Sequence, residues 1–170
     1  MIKMSAGKIK LKSGVLKGQC LKFYTEEIRK LVKKFSAASR EWNDIERELT
    51  EKRVKWFEDN KASIFKRLKG SDVEKAYHLI LTKIGIKEDD AIIVEKTENS
   101  IVFHSKNFCP ALEACRIMGL DTREVCKAIF EKPTQELIKR INPKLKFRRN
   151  YKRIRPYTPY CEEIILLGKQ

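Results

Sequence analysis

No stretch of this 170-residue chain approaches the roughly 20 consecutive apolar residues that a membrane span requires, so no span is expected. The first residues carry Lys3, Lys8, Lys10, Lys12 and Lys17, with no acidic residue before Glu26. They lack the apolar core and small-residue cleavage site of a secretory signal, which makes a cytoplasmic protein the expectation. Internal repeats and low-complexity tracts are also missing. No two cysteines stand in the tight C-x2-C pairing of zinc ribbons. Five cysteines are an odd number, and in a reducing compartment they should be free thiols rather than a disulfide framework.

What is present is charge and enough apolar material for a core. Apolar residues make up 42% of the chain and charged residues 36%. Lys and Arg total 38 against 23 Asp and Glu, a formal charge of +15. Such a balance draws anions, whether nucleic acid, an acidic membrane surface or a small acidic molecule. A Lys-rich solubilising surface gives the same count. The length suits one domain. Gly7, Gly14 and Gly18 interrupt residues 1–22, read as a basic flexible arm, and residues 23–170 form a single α+β domain. Its 23–85 part is helical, and its 86–170 part is a sheet with helices that carries most of the cysteines.

In the helical half, Ile28, Leu31, Phe35, Ala38, Trp42, Ile45 and Leu49 recur at three- and four-residue steps, and Trp56 continues the register past Lys52. That spacing predicts one long amphipathic helix, capped by Thr25, whose stripe packs on its own domain or pairs with the same helix of a second copy in a homodimer through residues 28–56. A short helical piece over 60–68 follows. Ser71 and Glu74 make a capping box for a helix ending at Ile84, with Gly85 beyond it.

Residues 91–96 and 101–104 read as paired strands around a turn at 97–100. His78 lies off its helix's apolar face, whereas His104 ends a strand close to the cysteine-bearing segment. Pro110 suits a helix's first turn, with Asn107 as the favoured cap and Gly119 as the end. Asp121 and Glu124 open a further helix, which Pro133 ends while starting another. A strand over 145–151, a loop held by Pro156 and Pro159 and a last strand over 160–167 complete a helical N-terminal half followed by a small antiparallel sheet packed with short helices.

Chemistry concentrates in Asn107–Cys115, Cys126 and Tyr160–Glu163. Cys109 stands at a helix N-terminus, where free N–H groups and the helix dipole favour a thiolate. Glu113 is four residues on and shares its face. Cys126 and Cys161 belong to separate elements. Three such thiols converging would hold a metal ion or an iron–sulfur cluster, or would line a pocket with one reactive member. Inert buried thiols are the plainer alternative. Lys144, Lys146, Arg148, Arg149, Lys152, Arg153 and Arg155, interleaved with Phe147, Tyr151 and Tyr157, look like a nucleic-acid surface, but no nucleic-acid-binding signature accompanies them. An arginine fork reading a carboxylate, from Arg149 or Arg155, fits better.

Cys109-Pro110 through Cys115, Gly119 through Cys126, Phe147 through Tyr151, Ile154-Arg155-Pro156 and Tyr160 through Glu163 together resemble the L-2-amino-thiazoline-4-carboxylic acid hydrolase family, over about residues 101–166. The helix start at Cys109-Pro110 and the final cysteine-bearing strand are also distantly similar to vinyl-reductase-type ligand-binding domains. The first resemblance implies a hydrolase that opens a small cyclic amidine-like substrate to N-carbamoyl-cysteine. Cys109 would be nucleophile or metal ligand, Glu113 or Glu162 would move protons, and Asn107, Arg149, Tyr151 and Arg155 would bind the anionic substrate. The second implies a non-enzymatic sensor of a small molecule or of a metal held by Cys109, Cys126 and Cys161.

Overall fold

The computed structural model describes the backbone of residues 19–36 and 41–168, and the side chains of 25–36 and 41–168. Most of the basic arm expected over 1–22 lies outside these residues. Helix is already present at Gln19, so Thr25 sits inside the first helix instead of capping it.

The predicted long helix is two helices: α1, Gln19–Ser36, and α2, Trp42–Arg67. The stripe carries across the break without a Gly or Pro to mark it, so its period alone gives no sign that the chain divides. The two helices have different neighbours, α1 lying on the later helix α4, Pro110–Met118, and α2 further along the fold. The separate piece expected over 60–68 is the continuation of α2. Ile28 and Ile45 from this stripe, and Phe57 next to Trp56, are buried within the chain itself.

Helix α3, Asp72–Ile84, forms as its sequence dictates. The Ser71 side chain accepts from the Glu74 N–H, Glu74 accepts from the Ser71 N–H, and Gly85 closes the helix at φ 76°, in the left-handed region open to glycine. The chain then enters the hairpin β1, Ala91–Lys96, and β2, Ser100–Ser105. Strands β3, Leu145–Arg149, and β4, Cys161–Leu167, complete a four-stranded antiparallel sheet in the order β1-β2-β4-β3.

Because strand side chains alternate, one sheet face carries Ile101, Phe103, Leu145, Phe147 and Ile165. That face is covered by α3 and by the later helix α6, Glu131–Ile138. With Val73, Ala76, Tyr77 and Ile80 these residues form the main core. Tyr77 and Phe103 meet edge to face at 5.1 Å, and the Tyr77 hydroxyl donates to the Ala91 carbonyl at 2.6 Å. A second cluster joins Phe57, Leu79 and Leu137, and a third joins Ile45, Cys115, Val125 and Ile129.

Two corrections bear on the site. Cys109, not Asn107, caps α4; the Asn107 side-chain amide donates to the Phe108 carbonyl instead. Pro133 does not separate two helices either. Helix α5, Thr122–Val125, runs through a wide π turn, Cys126–Phe130, directly into α6. Pro133 lacks the N–H that an α-helical turn would aim at the carbonyl four residues back, and its ring crowds that carbonyl. A π turn just before it lets the helix carry on, with the Glu131 N–H donating to Cys126, five residues back.

Candidate functional site

The apolar inner face of the sheet stops short of one end. There the same alternation that buries Ile165 turns Glu163 and Cys161 inward. Cys161 lies opposite Ser105 on β2, and Glu163 lies opposite Arg149 on β3. Above them is a cavity of about 280 Å³. Its further walls come from α1 and α2 (Leu31, Leu49, Arg53), from the start of α4 (Cys109, Pro110), from the π turn (Cys126, Phe130) and from the loop residues Asn107 and Arg155.

One buried carboxylate faces two buried guanidiniums. The Arg149 Nε and Nη2 donate to Glu163 Oε1 at 3.0 and 2.6 Å, and the Ser105 hydroxyl donates to Oε2 at 3.4 Å. Both side chains are about nine-tenths buried, 11% and 9% exposed. Burial pulls the Arg149 pKa down, but the charge and hydrogen bonds of Glu163 outweigh it and hold the guanidinium firmly protonated. Arg149 Nη1 is buried and, among the described residues, has no hydrogen-bond partner. A buried donor left unmade is costly, which singles this atom out.

Among the described residues, Arg53 is paired with no carboxylate of its own. Its Nη1 donates to the Thr134 hydroxyl at 2.7 Å, and that hydroxyl donates in turn to the Phe130 carbonyl at 2.9 Å. The π turn thus places an acceptor for Arg53. Burial, aided by repulsion from Arg149 and opposed by Glu163, brings the Arg53 pKa down to about 10. Arg155 is tied down differently: its Nη1 donates to the Asn107 carbonyl, its Nε lies 3.5 Å from Cys161 Sγ, and its own carbonyl accepts from the Thr122 hydroxyl at 2.8 Å.

The sequence-predicted residues divide in two. Asn107, Cys109, Cys126, Arg149, Arg155 and Cys161 all line the cavity. Glu113, Tyr151 and Glu162 do not. Glu113 pairs with Arg116 at 3.0 Å on the flank of α4. The Tyr151 hydroxyl bonds to Glu131. Glu162 is on the opposite sheet face, accepting from Asn150 at 2.8 Å and Arg153 at 3.0 Å and bonded to His104 Nε2 at 3.0 Å. His104 shares that outer face, stacked on Tyr160 at 3.7 Å, because its inward neighbours on β2 are Phe103 and Ser105. His78 pairs with Glu88 at 3.2 Å.

The thiols differ from the thiolate expectation. Burial pushes the Cys109 thiol up, and the Leu112 N–H and the Arg155 charge only partly oppose it. Burial likewise pushes Cys126 up to about 12. Cys115 is enclosed in the third core cluster and raised to about 11. Among the described residues no group of three or more His, Cys, Asp or Glu side chains is gathered closely enough to hold a metal ion, although three thiols share the cavity.

Arg53, Ser105, Thr134 and Glu163 were missed as site residues. Arg53 carries a signal: it stands four residues after Leu49 and four before Phe57, on the buried side of the stripe, next to the Lys52 that the register passes over. The basic run of 144–155 is divided by strand parity, with Lys146 and Arg148 exposed outside and Arg149 within.

Compared with known protein families, with curated proteins and with solved structures, the chain matches none of them. Among the described residues, no helix is long and apolar enough to cross a membrane.

Proposed function

We propose that this α+β chain is a binding domain for a small organic anion, held in the cavity between the sheet end, α2 and the π turn. The observation that carries the reading is a second buried guanidinium, Arg53, held by the Thr134 hydroxyl beside the buried Arg149–Glu163 ion pair on the cavity wall. Buried charges are stable when paired, and an incoming anion supplies the missing pair. The vinyl-reductase-type resemblance, with its enclosed small-molecule site, points the same way.

The test is a thermal-unfolding screen of chemically varied organic anions, cations and neutral compounds. Anions that raise the melting temperature of the natural chain and leave an Arg149→Met, Glu163→Gln double variant unmoved support the reading. A screen in which no anion stabilises the protein overturns it. The double variant is chosen because Arg149→Met alone strands a buried carboxylate.

The hydrolytic reading keeps the same cavity and adds ring opening of a 2-amino-thiazoline-4-carboxylate. Cys109, Asn107 and Arg155 on the cavity walls favour it. The raised Cys109 thiol and the placing of Glu113 and Glu162 off the walls weigh against it. Turnover of that substrate to N-carbamoyl-cysteine, abolished by Cys109→Ala, would make this the better account.

A further inference from the structure

The cavity has two unlike halves. The side chains that line it include three cations, Arg53, Arg149 and Arg155, against two carboxylates, Glu163 and Glu27, one positive in excess. Around them the walls are largely hydrocarbon: Leu31 and Leu49 from α1 and α2, Ile86 after α3, Pro110 at the start of α4 and Phe130 on the π turn. A polar acid would leave that hydrocarbon unmatched, and a neutral apolar molecule would leave the excess positive charge of the lining uncompensated. A dianion would overshoot the excess charge and set its second charge near Glu163. The volume of about 280 Å³ is nearly twice that of a cavity of about 150 Å³ that holds benzene.

We propose that the ligand class is a hydrophobic monocarboxylic acid, with the carboxylate drawn to the end of the cavity lined by Arg53 and Arg149 and the apolar body lying against Leu31, Leu49, Ile86 and Phe130. This rests on the anion-binding reading and narrows it. The carboxylate completes the half-paired charge cluster, and the hydrocarbon body displaces water from the walls. The three thiols serve here as weakly polar wall.

The experiment is calorimetric titration of the full chain at neutral pH with octanoate, butyrate, octanol, octylamine and inorganic phosphate. Octanoate is expected to bind at one site, roughly tenfold or more tighter than butyrate or octanol, with no saturable binding of octylamine. Arg53→Met, which removes one guanidinium and leaves the Arg149–Glu163 pair intact, should weaken octanoate by roughly tenfold or more. Lys146→Met, the same loss of charge on the outer sheet face, should leave it unchanged and so separates the site from attraction to a basic surface. Octanol binding as tightly as octanoate, or Lys146→Met acting as strongly as Arg53→Met, overturns the proposal. If phosphate or a polar acid binds at Arg53 and octanoate does not, the monocarboxylate class falls while the anion-binding reading stands. If no anion binds at all, both fall.

Discussion

Strand β4 passes through two environments within a few residues. At Ile165 the inner sheet face meets Ile101 on β2 and Phe147 on β3, all buried in hydrocarbon. At Glu163, the next inward position, the same face holds an ion pair, a donor unpartnered among the described residues and a cavity. Strand parity would have allowed apolar packing to continue to the end of the sheet, but the cover changes there from α3 and α6 to α1, α2, the start of α4 and the π turn. The fold instead sets two arginines over one carboxylate. The first environment supports the native state by burial alone. The second holds charges that are only partly paired, as a site that completes itself with a ligand would.

The difference should be plainest in stability. Ile165→Ala opens a cavity in the filled half and is expected to cost about 2–5 kcal/mol, read as a lowered urea midpoint with an unchanged m-value. Affinity of the folded protein for an organic anion should change little. A loss of affinity matching the loss of stability would mean that the two halves are one cooperative unit and would break the comparison.

The opposite sign is expected at Arg53. Its pKa of about 10 lies below the ordinary arginine value, so the folded state holds this proton less tightly than the unfolded chain. The penalty is fully present below that pKa and is relieved as pH rises from there towards the ordinary value. Arg53→Met removes the buried charge, keeps much of the volume and leaves Thr134 bonded to Phe130. It should stabilise the ligand-free protein at neutral pH by about 1–3 kcal/mol while weakening anion binding. A destabilised variant would show that Arg53 is structural, and the comparison would then reduce to Arg149 alone.

Local chemistry made much of the fold legible in the sequence. The Ser71–Glu74 box, Gly85, Pro110 and Gly119 each act within one turn of helix, and the structure uses each where it was expected. The break between α1 and α2 was hidden because packing partners, not local residues, decide it. Pro133 misled because a lone proline ends an α-helical ladder, whereas a π turn accommodates it, and period counting does not resolve the two. At the site, Cys109, Cys126, Cys161, Arg149, Arg155 and Asn107 were identified by residue type and fell on one cavity. Glu113 and Glu162 lie close to a cysteine along the chain but not on the cavity walls. Alternation along β4 puts Glu162 on the face opposite Cys161, and the turn of α4 carries Glu113 away from the cavity walls. Arg53 lies 96 positions from Arg149 along the chain, so no local pattern joins them.

The finest version of the comparison lies in two adjacent glutamates. Glu163 faces the cavity; Glu162 faces outward and is bound by three partners. The Asn150 hydrogen bond, opposed by burial and helped by His104 and Arg153, holds the Glu162 carboxyl below the ordinary glutamate range. Its depressed folded pKa means that the stabilisation is present above the ordinary value and is lost as pH falls through the lowered one. Glu162→Gln should therefore cost about 1 kcal/mol at neutral pH, and the gap from the natural protein should close in acid. Anion binding at neutral pH should be intact, because Glu162 touches the outer cluster of His104, Asn150 and Arg153. Glu163→Gln should do the reverse at the site, freeing Arg149 from its internal carboxylate and tightening the hold on an external one. Stability measured from pH 3 to 8 beside anion affinity at pH 7 checks both variants. If both substitutions move affinity by the same factor, the two sheet faces do not act separately, and the outer cluster belongs to the site.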